Sequence, residues 1–318
     1  MIPSVTVVIA LYNKVGYVKA TIDSVLNQSF TNFQLIVVDD GSTDGSAELV
    51  KQLKDARLTV VTIKNSGPGV ARNVGLAMAE SSYVTFIDAD DYWHVSFLQE
   101  AVSALEKNPS CEVWLCAACW EPAGEKRVPY LPQDKSNAQS GPWKLETDYT
   151  PLETAEVINF FATGAVVART TVIKKYHGYF DFVRCTSGED GYLWMQVMYN
   201  HIIYREHRAL LHINTEGSDL GIGRVSLKPV PPWLAYPQPI IDNCPKPYIT
   251  SLLAYFNLSA FLAFRREVYQ GHAWTALKLL LRYPGLSAYR NKEYPPIVFA
   301  LVWYPFKHYV RRLVKKTT

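Results

Sequence analysis

Tyr83-Val84-Thr85-Phe86-Ile87-Asp88-Ala89-Asp90-Asp91 decides how this chain is read: an apolar, strand-forming run that stops in three carboxylates. Like charges this close repel. A fold keeps them together where a cation offsets them, and a hard divalent ion carrying phosphate oxygens is the usual occupant. A solvated acidic turn is the competing reading of this segment taken alone. Alternation along an extended chain sets Asp88 and Asp90 on one side, with Ala89 between them.

Upstream, strand and helix patterns alternate in short units. Val5 to Ala10 is an apolar β-branched run and Val18 to Leu26 has helical spacing. Gln34 to Val38 is a second strand that ends in Asp39-Asp40-Gly41-Ser42, Ala47 to Leu53 is helical, and Leu58 to Ile63 is a third strand. This alternation predicts an α/β fold with a mainly parallel sheet flanked by helices. Ligands of such open sheets bind at the carboxyl ends of the strands, where both acidic clusters fall.

Absent motifs narrow the chemistry. The first strand is followed by Leu11-Tyr12-Asn13-Lys14-Val15-Gly16, without the G-x-G-x-x-G that lets backbone approach a dinucleotide, so a dehydrogenase is not expected. The sequence also lacks a G-x-x-x-x-G-K-[ST] phosphate cradle. Phosphates would have to be held by side chains and a metal.

With 318 residues, 48% of them hydrophobic and 19% charged, the chain has the composition of a globular protein. Its net charge of +3 gives no argument for nucleic acid. The five cysteines, Cys111, Cys116, Cys119, Cys185 and Cys244, lack disulfide-framework spacing and read as reduced thiols of a cytosolic protein. Cys116 and Cys119 form a C-x-x-C pattern, but on the strand read from Val113 to Trp120 they face opposite ways, which argues against a paired metal or redox role. The N-terminal run is too short and lacks the basic lead-in of a signal peptide.

Several blocks together resemble the family 2 glycosyltransferases of the GT-A fold: Val7 to Asn13, Ser24 to Phe30, Val37 to Asp44, Gly69-Val70-Ala71-Arg72-Asn73-Val74-Gly75 and Phe86 to Asp91. Gly188-Glu189-Asp190-Gly191-Tyr192-Leu193-Trp194 looks like that family's acidic block. The resemblance covers roughly residues 4 to 215. It implies a GT-A nucleotide-diphospho-sugar transferase fold, Rossmann-like, with Ala10, Tyr12 and Asp40 around the nucleotide base. Asp88 and Ala89 would lie on the nucleotide sugar, Asp90 would bind Mn²⁺ or Mg²⁺, and Asp91 adjoins them without an assigned role. Arg72 would add positive charge near the phosphates, and His212 would be a further metal or diphosphate ligand. Either Asp190 or Glu189 is the general base that takes the acceptor proton.

The resemblance further implies inverting transfer by single displacement. Without a Q-x-x-R-W block after the base, transfer of one sugar per binding event is expected. Expected partners are a nucleotide-sugar donor, with UDP foremost, and a glycan or lipid-linked acceptor of polysaccharide or lipopolysaccharide assembly. Rival readings are a nucleotide-sugar-binding assembly protein without turnover and, more distantly, a nucleotidyltransferase.

Residues 1–227 are expected to form the catalytic domain, with a nucleotide-binding half to about residue 110 and an acceptor half from 111 to 227. The polar stretch from Pro122 to Pro151 reads as a long loop over the site, and Phe160 to Arg169 as strand-like. Residues 228–247 read as a Pro-rich linker. Residues 248–318 form a helical, basic extension, with helical spacing at Ile249 to Val268 and Ala273 to Leu281. Ile297 to Phe306 is too short to cross a bilayer, yet beside Lys307, Arg311, Arg312, Lys315 and Lys316 it suits a helix lying on an anionic surface. A cytoplasmic protein, peripheral on the inner face of the cell membrane, is the resulting expectation; packing on the core or self-association is the alternative.

Overall fold

The first apolar run becomes strand β1 (Val5–Leu11), and every strand-forming run around it adds to one sheet. The computed structural model describes residues 4–127, 139–185, 187–217 and 230–289. Helix α1 (Val18–Leu26), β2 (Phe33–Asp39), α2 (Ser46–Lys51), β3 (Leu58–Thr62), α3 (Pro68–Ala77) and β4 (Tyr83–Asp88) follow as parallel β-α-β units. After them come β5 (Tyr92–Trp93), α4 (Phe97–Lys107), β6 (Val113–Glu121), β7 (Glu125–Arg127) and β8 (Gly141–Trp143). The chain then runs through α5 (Pro151–Phe160), β9 (Val166–Arg169), α6 (Thr170–Lys175), α7 (Glu189–Asn200) and β10 (Ile203–Asn214).

The ten described strands follow the order β3-β2-β1-β4-β9-β6-β10-β5, with β7 on β6 and β8 on β10. β9 is inserted antiparallel between β4 and β6. β6 and β10 are parallel to each other, so β3, β2, β1, β4, β6 and β10 all point the same way. Their carboxyl ends therefore gather the loops after β1, β2 and β4 at one edge, as expected for a mainly parallel α/β sheet.

Burial explains the runs. In β1, Val5, Val7, Val8, Ile9 and Leu11 are all inaccessible, covered on both faces as a central parallel strand requires. α3 lies close on β1: a Cβ at Gly75 would sit 2.3 Å from Val8 Cγ1, so only glycine fits. Most buried apolar residues, from Val5 to Leu286, join one continuous core.

Three expectations about local structure are corrected. Phe160 to Arg169 is strand only from Val166; Phe160 ends α5, and Thr163–Ala165 is a 3-10 turn. The helix is started by Pro151 and by a capping box in which Thr150 and Glu153 satisfy each other's backbone. The polar stretch after Pro122 is not all loop, since it carries the short strands β7 and β8; residues 128–138 lie outside the described residues.

The described part of the Pro-rich segment folds into α8 (Pro232–Ala235), α9 (Gln238–Asn243) and a 3-10 turn, Lys246–Tyr248. Here proline opens helices instead of extending a linker, and Leu234 and Ile240 are buried in the common core. Helix α10 (Ile249–Tyr269) buries Leu252, Phe256, Ala260, Phe264 and Val268 at a four-residue spacing against α5 and α11 (Ala273–Arg282). Together with residues 246–248, α10 is long and apolar enough to cross a membrane, but 56% of its most apolar window is buried within the protein. The run from Ile297 to Phe306 and the basic residues after it lie outside the described residues.

Candidate active site

The loops after β1 and β2 are tied to each other. Asn13, at a φ of 51°, accepts from the Thr43 N–H on its side-chain oxygen at 2.8 Å and donates its own N–H to Ser42 Oγ at 3.1 Å. Val15 N–H donates to Asp44 Oδ2 at 2.9 Å. Asp39 accepts from the Ser42 N–H and so holds the turn after β2. Asp40 is buried, and its two carboxylate oxygens accept the N–H groups of Ser66 and Gly67 at 2.7 and 2.8 Å. The acid expected near the base is thus held rigidly by the loop entering α3. Ala10 is partly buried on β1 between Val38 of β2 and Asp88 of β4, and Tyr12, just after β1, is 46% exposed.

Beyond β4 the acidic cluster has a cation. Lys14 Nζ lies 3.0 Å from Asp90 Oδ2 and also donates to the Gly217 carbonyl. Gly217 packs directly over Asp90, so the loop after β10 covers the cluster. Asp91 Oδ1 accepts the Asn214 N–H at 3.0 Å, which anchors the same loop. Burial and repulsion from Asp88 raise Asp90 above the ordinary carboxylate range while Lys14 pulls it down. Burial, Asp88 and Asp90 raise Asp91 further. The cluster therefore favours positive charge, and its hard oxygen donors fit Mn²⁺ or Mg²⁺.

Arg72 connects the end of β4 to the acidic block at the start of α7. From α3 its guanidinium donates to Asp88 Oδ1 at 2.6 Å and to Glu189 Oε1 at 2.9 Å, and it lies 4.9 Å from the centre of the Tyr179 ring. Burial works against its charge, but Asp88 and Glu189 outweigh burial and keep its pKa above the ordinary arginine value. Arg72 Nε and Glu189 Oε2 are buried without hydrogen-bond partners among the described residues. The guanidinium fork suits this two-carboxylate bridge in a way an ammonium would not.

Glu189 and Asp190 begin α7. Gly188 precedes them with a φ of 89°, a conformation other residues adopt at a cost. A Cβ at Gly69 of α3 would meet the Phe180 carbonyl at 2.4 Å, so α3 and the segment before α7 are in backbone contact. Asn73, the neighbour of Arg72, clamps that segment: its side chain donates to the Tyr179 carbonyl and accepts the Tyr179 N–H, both at 2.8 Å. Glu189 is buried with one carboxylate oxygen on Arg72, whereas Asp190 is only partly buried and accepts the Gly191 N–H at 2.7 Å. Burial raises both acids, with Arg72 opposing it; Asp190 adds to the rise of Glu189.

His212 sits elsewhere on the same edge. Its Nδ1 is 3.3 Å from Glu121 Oε1 and its ring stacks on Tyr92 at 4.7 Å. Its described partners are thus β6 and β5 side chains, while Asp90 has Lys14. Lys14 and Asn73 received no role in the sequence reading, although each adjoins a residue that did.

A Glycosyl transferase family 2 model matches residues 6–174, more than half of the chain. The UDP-Glc:alpha-D-GlcNAc-diphosphoundecaprenol beta-1,3-glucosyltransferase WfaP of Escherichia coli is 35% identical over 105 residues, 32% of this chain and 41% of WfaP. The chain spans less than half the length of the curated relatives it matches. In structure it is similar to S. aureus TarS 1-349 in complex with UDP-GlcNAc, with a TM-score of 0.63 at 19% identity, covering 94% of this chain and 81% of that one. The mannosyltransferase PcManGT of Pyrobaculum calidifontis, in complex with GDP-Man and Mn²⁺, aligns with a TM-score of 0.54 at 17% identity over 94% of this chain and 85% of PcManGT. At these identities the structures attest the fold, and the family model carries the assignment: the chain belongs to the family 2 glycosyltransferases.

Proposed function

We propose that this chain transfers one sugar from a nucleoside-diphosphate donor, with UDP the expected nucleotide, to an acceptor hydroxyl with inversion, in the assembly of a bacterial surface polysaccharide or glycolipid. The observation that carries this reading is the Arg72 bridge, which joins Asp88 on the donor side to Glu189 at the start of the base helix. One buried cation thereby brings both halves of a transferase site together.

Asp190 is the base in this reading, because Glu189 is committed to Arg72. The acceptor hydroxyl gives its proton to the Asp190 carboxylate as its oxygen attacks the anomeric carbon from the face opposite the diphosphate. Burial raises Asp190 above the ordinary aspartate value, which strengthens it as a base. Asp90, with Asp88 beside it, would hold Mn²⁺ or Mg²⁺, whose charge offsets the negative charge on the departing diphosphate. The sequence reading puts His212 on this same metal, whereas its described side-chain contacts are Glu121 and the Tyr92 ring.

At the nucleotide end, Ala10 and Tyr12 flank the base. The Asp40 carboxylate, already fixed by two backbone N–H groups, retains a lone pair on each oxygen for a uracil N–H. At the opposite end, α11 exposes Trp274 at 76% and Leu281 at 73%, with Lys278 beside them. Such a face suits peripheral contact with an anionic membrane, where a lipid-linked acceptor would be met.

Anomeric NMR of the product made from an α-linked UDP-sugar tests the reaction type. A β-linked product is expected, and retention of configuration overturns the single-displacement mechanism.

A further inference from the structure

Strands β6 and β10 bring a second set of metal-ligating side chains together, outside the acidic cluster. Their parallel register pairs Cys119 with His212 and Glu121 with Asn214. Cys119 and Glu121 are two residues apart on β6 and share a face, and His212 joins them from the neighbouring strand. The separations are 3.5 Å from Cys119 Sγ to Glu121 Oε1 and 3.3 Å from His212 Nδ1 to Glu121 Oε1. All three ligand atoms lie within 4.8 Å of one another.

Those distances match a coordination polyhedron. With metal bonds of about 2.3 Å to sulfur and about 2.1 Å to nitrogen and oxygen, tetrahedral ligands stand roughly 3.4 to 3.6 Å apart. The set is therefore nearly at coordination spacing without moving a strand. Each residue is partly buried, and the Tyr92 ring, 4° from parallel with the imidazole, holds His212 in place. Rigid strands and a stacked ring restrict these ligands more than a loop would.

We propose that Cys119, Glu121 and His212 form a site for a borderline transition ion such as Zn²⁺, separate from the Asp88–Asp90 cluster. The thiolate, imidazole and carboxylate donors favour such an ion over Mg²⁺ or Ca²⁺, which prefer all-oxygen shells. Three protein ligands leave a fourth position for water or an exogenous group. Cys116, the other member of the C-x-x-C pattern, takes no part: it is buried on the opposite face, and burial raises its thiol pKa.

The site has a mechanical consequence. His212 lies two residues before Asn214, whose N–H holds Asp91, and just before the Gly217 loop that covers Asp90. A metal joining β6 to β10 here fixes the strand from which that loop departs. This inference does not depend on the proposed reaction.

Titration of the EDTA-treated full-length protein with CoCl₂ tests it. One equivalent is expected to give a sulfur-to-cobalt charge-transfer band in the near ultraviolet, displaced by Zn²⁺. X-ray absorption of the same sample should show one sulfur scatterer at about 2.3 Å. Cys119→Ser should remove the band, His212→Gln should weaken Co²⁺ binding by about tenfold or more, and Asp90→Asn and Cys185→Ser should leave the band intact. Absence of a sulfur scatterer in the wild-type protein overturns the proposal without any variant. So does a band that survives Cys119→Ser or disappears in Asp90→Asn.

Discussion

Replacing Arg72 with methionine removes the guanidinium that bridges Asp88 and Glu189, and its cost can be worked out. The Asp88 side chain is 42% exposed, so loss of that contact costs at most about 1 kcal/mol after solvent screening. The Glu189 side chain is only 8% exposed, and stranding a buried partner costs about 3–5 kcal/mol. Protonation limits the second figure. Taking up a proton at about pH 7.5 on a group that ordinarily titrates near 4.3 costs roughly 4.4 kcal/mol, beyond which Glu189 simply becomes neutral. Arg72→Met should therefore lower stability by about 3–5 kcal/mol at neutral pH, read from the shift in urea midpoint at unchanged m-value.

The sign of the pH dependence follows. In the variant the folded-state pKa of Glu189 lies above its unfolded value, so the folded state binds the extra proton. The penalty is fully present above the folded pKa and falls by about 1.4 kcal/mol per unit as the pH drops toward the unfolded value. Glu189→Gln in the Arg72→Met background should recover at least about 2 kcal/mol, because a neutral amide replaces the stranded charge. A cost below about 1 kcal/mol, or no recovery in the double variant, refutes the buried bridge.

Other consequences are open to measurement. Since Arg72 holds Asp190 down against burial, the acidic limb of the kcat/KM profile should lie above the ordinary aspartate pKa and move higher in Arg72→Met; an unmoved limb separates the two groups. Gly69→Ala places a Cβ 2.4 Å from the Phe180 carbonyl and should cost about 1–3 kcal/mol in chemical denaturation, with wild-type stability as the contradicting result. Trp274→Glu with Leu281→Glu should reduce flotation with anionic vesicles while leaving the urea midpoint unchanged, because both side chains are exposed; undiminished flotation removes α11 from membrane contact.

What the sequence disclosed was local. The strand at Val5 and the helix at Val18 to Leu26 were legible because apolar spacing follows the faces that are buried, and the strand-end position of both acidic clusters followed from that alternation. Phe160 to Arg169 misled because an apolar run fits the end of a buried helix and a 3-10 turn as well as a strand, and the capping signal at Thr150 and Glu153 marked the helix that Phe160 ends. The prolines from 232 to 247 were read as linker though they start helices.

The candidate residues could be named from the sequence, but their connections could not. Arg72 meets Glu189 across 117 positions, and Lys14 meets Asp90 through a loop crossing, so neither pairing leaves a periodic trace. The order of Glu189 and Asp190 could not be read from adjacent acids, because the choice depends on which one faces α3. Cys119 appeared idle beside Cys116; one of its partners, His212, comes from β10, a strand paired with β6 only in the fold.

The central claim is that the Asp90 and Asp190 carboxylates act on opposite ends of one transfer. Release of nucleoside diphosphate from a panel of sugar nucleotides, with and without Mn²⁺, tests it most directly. The wild-type protein should release diphosphate from at least one UDP-sugar only with metal present. Asp90→Asn should abolish the metal response, and Asp190→Asn should lower kcat by about 10² to 10⁴ with UDP affinity unchanged. Turnover that persists in the Asp90→Asn, Asp190→Asn double variant contradicts the account.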